Sequence, residues 1–247
     1  MAHTLGGKVA LVTGGSRGLG AAIAKHIAQD GAAVALTYTS SPQKAGDVVR
    51  EIESAGGRAL AIRADSGNVA EVRSAVAETV TAFGALDILV NSAGVLAMAP
   101  IDEFKLADLD RMLAVNVRGI FVAIQEALRH MKEGGRIINI GSVNSDVVPF
   151  AGGSVYALTK GAIASFTRGL ARDLGPRGIT VNNIQPGPVD TDMNPADGPF
   201  AAQLKGMIAV GRYGRADEIA GMVSYLASAG AAYVTGASLK IDGGFAA

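Results

Sequence analysis

The chain contains no cysteine and only three histidines, His3, His26 and His130. Without cysteine there is no disulfide, zinc thiolate or redox dithiol to consider. The histidines share no motif, and no His/Asp/Glu cluster shows metal-ligand spacing, so metal catalysis is not expected. Acid–base chemistry must therefore come from other side chains. An excess of either charge is missing too, since Lys plus Arg and Asp plus Glu both number 22. That balance argues against nucleic acid or an acidic membrane surface as partner and favours a small molecule. The apolar run in "MAHTLGGKVALVTGG" breaks at Thr13 and Gly14, too short for a secretion signal or a membrane span. A cytoplasmic location is expected. No long linker, low-complexity tract or internal repeat divides the 247 residues, of which 49% are hydrophobic and 18% charged. One α/β domain with a substantial core fits this composition.

Short apolar, β-branched runs recur along the chain: "KVALVT" (8–13), "AVALTY" (33–38), "ALAIRA" (59–64), "LDILVN" (86–91), "RIINIG" (136–141), "ITVNNI" (179–184) and "SLKID" (238–242). Stretches with helical apolar spacing, such as "AAIAKHIAQ" and "VRSAVAETVTAF", lie between them. Runs that are apolar on both faces belong in a parallel sheet covered by helices on each side, and the alternation predicts a doubly wound, Rossmann-like domain. Glycines close the expected helices at Gly31, Gly56 with Gly57, and Gly84. The Pro-rich "QPGPVDTDMNPADGPF" (185–200) follows the sixth run, at the sheet edge where such folds bind ligands, and reads as a functional loop or lid.

Directly after the first run stands "TGGSRGLG" (13–20). Gly14, Gly18 and Gly20 allow a sharp turn and a close approach to a pyrophosphate, with a helix N-terminus facing its charge. Ser16 and Leu19 belong to the same loop. The letters Gly14, Ser16 and Gly18 also spell the G-x-S-x-G elbow of serine hydrolases. That remote alternative needs a histidine late in the chain, whereas the last one, His130, falls in a helical stretch. Dinucleotide folds that take NAD place an acid at the end of the second strand. Here "TYTSS" offers Thr39, Ser40 and Ser41 and no carboxylate, with Arg17 nearby. Hydroxyls and a guanidinium accept a 2′-phosphate that a carboxylate would repel, so NADP(H) is the expected cofactor.

In "SVYALTK" (154–160), Tyr156 and Lys160 stand at helical i, i+4 spacing and share a face. A phenol of pKa about 10 is a poor base at neutral pH. A positive charge at about 4 Å in an effective dielectric near 20 lowers that value by roughly three units. Partial burial opposes this shift and oxidised nicotinamide adds to it, so Lys160 is expected to bring Tyr156 toward neutrality without a histidine. Pairs with this spacing also occur on solvated surfaces, so the motifs around it carry the argument.

Those motifs, "TGGSRGLG", "NSAG" (91–94), "VNVRG" (115–119), "IGSVN" (140–144), "YALTK" (156–160) and "PGPVDT" (186–191), together resemble the short-chain dehydrogenase/reductase family over essentially the whole chain. The resemblance implies a single Rossmann domain over residues 1–247 with about seven parallel strands, a substrate lid at about 191–213, and a homotetramer or homodimer. It implies Asn116, Ser142, Tyr156 and Lys160 as the catalytic set. Tyr156 would exchange the proton, Ser142 would hold the carbonyl oxygen, Lys160 would bind the nicotinamide ribose, and Asn116 would hold a water linking Lys160 to solvent. It further implies Asp65 at the adenine, Asn91 and Gly94 along the dinucleotide, Pro186 and Gly187 at the nicotinamide wall, Val189 among the cofactor-binding residues, and Thr191 at the carboxamide or phosphate. Asp65 could equally cap the following helix. Ser92 departs from the family's usual "NNAG", and the Ser142-to-Tyr156 spacing is one residue longer than usual.

The loop after Ser142 and the lid after Thr191 offer Val143, Asn144, Val148, Phe150, Met193 and Met207. A mostly apolar pocket suits a neutral ketone or its alcohol. Reductases of 3-oxoacyl carrier-protein thioesters are similar and need a basic docking patch, for which "RHMKEGGR" (129–136) is a poor guide. The "GSVN" and "QPGPVDTDMNPADGPF" stretches also resemble a regulator of this fold that binds cyclic di-GMP. The intact catalytic set favours the enzyme.

Overall fold

Seven apolar runs become seven parallel strands in the computed structural model of the chain, which describes residues 4–247. His3 lies outside the described residues. The strands are β1 (Val9–Thr13), β2 (Ala33–Tyr38), β3 (Arg58–Arg63), β4 (Ile88–Asn91), β5 (Arg136–Ile140), β6 (Thr180–Pro186) and β7 (Ser238–Ile241). Each begins and ends within two residues of its sequence run. The helices are α1 (Gly18–Gln29), α2 (Pro42–Ser54), α3 (Val69–Phe83), α4 (Leu106–Leu113), α5 (Ile120–Ala127), α6 (Ser154–Leu174), α7 (Ala201–Met207) and α8 (Ala216–Ala227). His130 lies in a turn beyond α5 rather than in a helix.

The sheet order is β3-β2-β1-β4-β5-β6-β7. β1 pairs with β2 on one side and with β4 on the other, so the chain reverses direction across the sheet beside β1. Ligands bind at such a switch point, beyond the C-terminal ends of the strands.

Side chains alternate across the pleat and fill two cores. Ala10, Val12, Val34, Leu36, Ile88, Val90 and Ile138 face one side, against Ile23 and Ile27 of α1, Val48 of α2, and Ile219 and Val223 of α8. Leu11, Ala35, Leu89 and Ile137 face the other, against Val72 and Val76 of α3, Ile124 of α5, and Ile163 and Leu170 of α6. A fully buried aliphatic side chain stabilises by roughly 1.5–3 kcal/mol, so the two cores hold the strand ends rigidly in place. Ser224 on α8 donates a hydrogen bond to the Asp30 carboxylate just beyond α1, joining two helices that pack on the same face. α3 ends at Gly84 with φ 82°, as its glycine predicted.

Between α4 and α5 the helix widens into a π-helical segment, Ala114–Gly119, which carries Asn116. After β6 the chain runs irregularly to α7, with bridges Val189–Gly214 and Thr191–Asn194. Among the described residues no helix is long and apolar enough to cross a membrane.

Candidate active site

Beyond the strand ends lies a cleft of ≈ 390 Å³. Most of the residues expected at the site line it: Gly14, Ser16, Arg17, Gly18, Leu19 and Gly20 of the glycine loop, and Thr39 and Ser40 beyond β2. Asp65, Gly94, Tyr156, Lys160 and Thr191 complete that set.

The glycine loop is built for close approach. Gly14 has φ 67°, and a methyl group there would stand 2.8 Å from the Ala93 Cα. One on Gly20 would stand 2.2 Å from the Gly14 carbonyl oxygen, a distance no side chain tolerates. The loop is tied down by the Thr37 hydroxyl, which accepts from the Gly14 N–H at 3.0 Å. The Thr13 hydroxyl accepts from the N–H groups of Ser92 and Ala93 at 3.1 and 3.2 Å, joining the ends of β1 and β4. α1 starts after Arg17 with no side-chain cap, so its first N–H groups have no side-chain acceptor. This leaves positive dipole and free donors facing the cleft, which fits a pyrophosphate.

Toward the adenosine end, Arg17, Thr39, Ser40 and Ser41 line the cleft. No carboxylate ends β2. Asp65 is held by a two-pronged bond from Arg111, 3.0 Å to each oxygen, and by the Gly67 N–H at 2.8 Å. The Arg111 hydrogen bond holds its carboxyl below the usual range. Asp65 does not cap α3. Asn68 does, accepting from the N–H groups of Ala70 and Glu71.

At the opposite end Tyr156 and Lys160 project from one face of α6. The Lys160 ammonium lies 5.7 Å from the centre of the Tyr156 ring and donates to the Ile140 carbonyl at 2.9 Å. Burial pushes the Tyr156 phenol up to about 12, against a smaller downward pull from the Ser142 hydroxyl. Burial lowers Lys160 to about 8. The expectation that Lys160 draws the phenol toward neutrality is therefore corrected for the protein alone. The low dielectric disfavours phenolate more than the ammonium favours it.

Ser142 caps the short turn Val143–Ser145: its hydroxyl accepts from the Asn144 backbone N–H at 3.1 Å and donates to the Asn144 side-chain Oδ1 at 3.0 Å. Gly141 beside it lines the cleft, while Ser142 itself stands behind the lining. Asn116 is fully buried, with its amide clamped on Val95: Oδ1 accepts from the Val95 N–H and Nδ2 donates to the Val95 carbonyl, both at 2.9 Å. Nδ2 also reaches the Thr159 hydroxyl at 3.2 Å. A water relay through this side chain has only the second lone pair of Oδ1 to use.

Other expected residues stand behind the lining. Asn91 is 1% exposed and donates to the Asn139 side chain at 2.8 Å, inside the sheet. Pro186 ends β6. Gly187 donates to the Ile241 carbonyl at 3.0 Å, and a methyl group on it would meet the Asp242 Cα at 2.7 Å. Val189 packs in the core. None of these last three lines the cleft.

Of the residues expected in the substrate pocket, Met193 lines the cleft with Thr191 and Asp192. Val143 does not offer itself as pocket wall. It is buried in a small core with Ala201, Ile208, Tyr213 and Phe245, which seats the segment after Thr191. Val148 and Met207 are exposed. Arg136 of the basic run is buried, donating to the carbonyls of Gly134, Gly135 and Ser228, so it belongs to no docking patch.

Among the described residues Ser16 has no histidine beside it. His26 of α1 lies 3.9 Å from Asp30 just beyond that helix, and neither it nor His130 lines the cleft. The described residues hold no group of three or more His, Cys, Asp or Glu that could bind a metal.

Sequence reasoning missed Thr37, Thr13, Thr159 and Arg111. Each acts through a partner far away in sequence.

Residues 14–246 match a family model described as enoyl-(acyl carrier protein) reductase. A short-chain dehydrogenase/reductase from Serratia marcescens BCRC 10948 is 60% identical, with a TM-score of 0.98 over 99% of this chain and 100% of that one. A short-chain dehydrogenase from Burkholderia cenocepacia J2315, solved in complex with NADP, is 52% identical, with a TM-score of 0.97 over 99% and 100%. The cyclic-di-GMP-binding biofilm dispersal mediator protein of Escherichia coli (strain K12) is 46% identical over 241 residues, 98% of each chain.

Proposed function

The chain belongs to the short-chain dehydrogenase/reductase family, and from that premise we propose that it reduces a ketone to a secondary alcohol with NADPH, Tyr156 giving the proton. The observation that carries this reading is the meeting of Tyr156 and Lys160 at one end of a cleft, with the Ser142 hydroxyl acting on the Tyr156 phenol from behind the lining, while the other end is an anion cradle. NADP(H) is the cofactor, supported by Arg17, Thr39 and Ser40 at the adenosine end and by the Burkholderia neighbour solved with NADP.

Bound NADPH supplies the hydride to the carbonyl carbon. Ser142 holds the carbonyl oxygen, and Tyr156 passes it the phenolic proton, leaving a phenolate that regains a proton from solvent. A phenol at about 12 is fully protonated at neutral pH, which favours the reductive direction. Lys160 is tethered by one proton to the Ile140 carbonyl and has two further protons for ribose hydroxyls. Asn116 acts one step back by fixing Val95, which itself lines the cleft. The segment at about 191–213 acts as the substrate lid, and its apolar Met193 suits a neutral substrate. Homo-oligomerisation has exposed Leu106, Phe121 and Leu158 to draw on.

The test is NADPH and NADH oxidation by the purified protein against ketones, β-ketoesters and 3-oxoacyl thioesters. NADPH-dependent turnover supports the reductase. Cofactor binding with no turnover, together with tight cyclic di-GMP binding, would move the reading to a nucleotide-binding regulator like the Escherichia coli relative.

A further inference from the structure

The loop after β6 reaches across the adenosine end of the cleft. Its Asp192 carboxylate lies 2.9 Å from the Lys44 ammonium on α2 and 3.8 Å from the Arg17 guanidinium at the start of α1. Thr191 beside it leans on the glycine loop, where a methyl group on Gly18 would stand 3.7 Å from the Thr191 Cβ. Lys44 is three residues beyond Ser41, which lines the same end of the cleft with Thr39, Ser40 and Arg17. One carboxylate thus occupies two cations beside a row of hydroxyls. The three charged side chains are half exposed, with relative areas of 57% for Arg17, 55% for Lys44 and 52% for Asp192, so water and salt screen the pairing and it exchanges readily. Lys44 chiefly, and Arg17 to a lesser degree, hold the Asp192 carboxyl below its ordinary range.

We propose that Lys44 is a second ligand of the phosphate on the adenosine ribose, and that Asp192 is a built-in competing anion which occupies Lys44 and Arg17 until that phosphate displaces it. The inference rests on the NADP(H) reading above. A phosphate with close to two negative charges and three acceptor oxygens outcompetes a single carboxylate for a pair of cations. A dinucleotide with only hydroxyls on that ribose has nothing to displace it with. Asp192 therefore sets how strongly the protein separates NADPH from NADH, and displacement releases the start of the lid segment. Competition by a half-exposed pair is modest, about two- to five-fold in affinity.

Dissociation constants for NADPH and NADH, measured by fluorescence titration of the full chain and its Asp192→Asn and Lys44→Ala variants, test this. Asp192→Asn is expected to tighten NADPH about two- to five-fold and Lys44→Ala to weaken it by a similar factor or more, with NADH nearly unmoved in both. Wild-type protein that prefers NADPH, with neither substitution shifting it, overturns the inference and leaves the NADP(H) reading standing. Asp192→Asn protein that loses NADPH and NADH alike also overturns it, because Asp192 would then be a clasp on either dinucleotide. Wild-type protein that binds both alike, or neither, overturns the NADP(H) reading and the inference together.

Discussion

The Lys160 ammonium faces the Tyr156 ring at 5.7 Å while its hydrogen bond goes to the Ile140 carbonyl at 2.9 Å. The lysine is thus held by the sheet end, and the tyrosine keeps its proton. Removing the phenolic oxygen alone should remove the chemistry and spare the cleft. Tyr156→Phe is expected to lower NADPH-dependent ketone reduction by roughly 10²-fold or more, the scale of a lost general acid. NADPH affinity should change little. Steady-state kinetics and a binding titration on one preparation check both, and full activity in the variant would remove Tyr156 from the proton-transfer step.

The direction of reaction carries a pH signature. With the phenol at about 12, reduction finds the proton in place throughout the neutral range, whereas alcohol oxidation needs the scarce phenolate. Rates of oxidation by NADP⁺ should climb steeply between pH 7 and 9 while reduction rates change far less. Parallel profiles in the two directions would contradict this.

Lys160 also makes stability depend on pH. Burial lowers its pKa from 10.5 to about 8, so between those values the unfolded chain binds more protons than the folded one and stability rises with pH. The contribution is full above about 10.5 and is lost as pH falls through about 8. Tyr156, raised from 10.0 to about 12, acts in the opposite sense, and its contribution is lost above pH 10. Urea unfolding of wild type and Lys160→Met at a series of pH values isolates the lysine. The stability difference should move toward wild type by on the order of 3 kcal/mol between pH 8 and 10.5. A difference that stays flat would mean that Lys160 titrates normally in the fold.

The strands and the chemistry-bearing loops were readable because both are local. "AVALTY" becomes β2 without a residue's shift, and the close approach of Gly20 to the Gly14 carbonyl follows from spacing within one turn. What stayed hidden is set by tertiary distance. Asp65 and Arg111 are 46 residues apart and Lys44 and Asp192 are 148 apart, and only the sheet order brings them together. The Tyr156 expectation set only partial burial against the charge of Lys160, whereas the fold buries the phenol so far that desolvation dominates. The π-helical segment at Asn116 has no periodic signature in "AVNVRG", because its extra residue per turn is imposed by what it packs against. A methyl group on Gly119 would stand 2.1 Å from the Ser66 carbonyl oxygen, which shows how tightly the segment is pressed onto the loop after β3.

Arg17 is the exposed cation expected at the adenosine phosphate, so its loss should discriminate between cofactors. Arg17→Ala is predicted to weaken NADPH by about ten-fold, the low end for a hydrogen bond to a charged group, and NADH by much less. The ratio of the two dissociation constants is the measurement. Equal weakening of both would assign Arg17 to the pyrophosphate or to helix α1 instead.

Asn116 offers a test that separates architecture from chemistry. Its amide satisfies both the N–H and the carbonyl of Val95 inside a site with no exposure of its own, and it reaches Thr159, whose hydroxyl in turn bonds the Tyr156 carbonyl at 2.8 Å. Truncation to alanine leaves two backbone groups unpaired, which costs about 2–4 kcal/mol. The unpaired loop carries Gly94 and Val95, which line the cleft, so NADPH binding should weaken together with stability. Asn116→Asp keeps the size and accepts from the Val95 N–H, but it turns a donor into an acceptor facing the Val95 carbonyl. It should therefore be impaired too, and most at high pH, where the carboxylate is ionised. Acidification toward the carboxyl pKa should restore part of its NADPH affinity, while the alanine variant should show no such recovery. If Asn116→Ala unfolded with the same urea midpoint as wild type and lost only turnover, the clamp would carry little of the stability and the direct relay role would gain the weight.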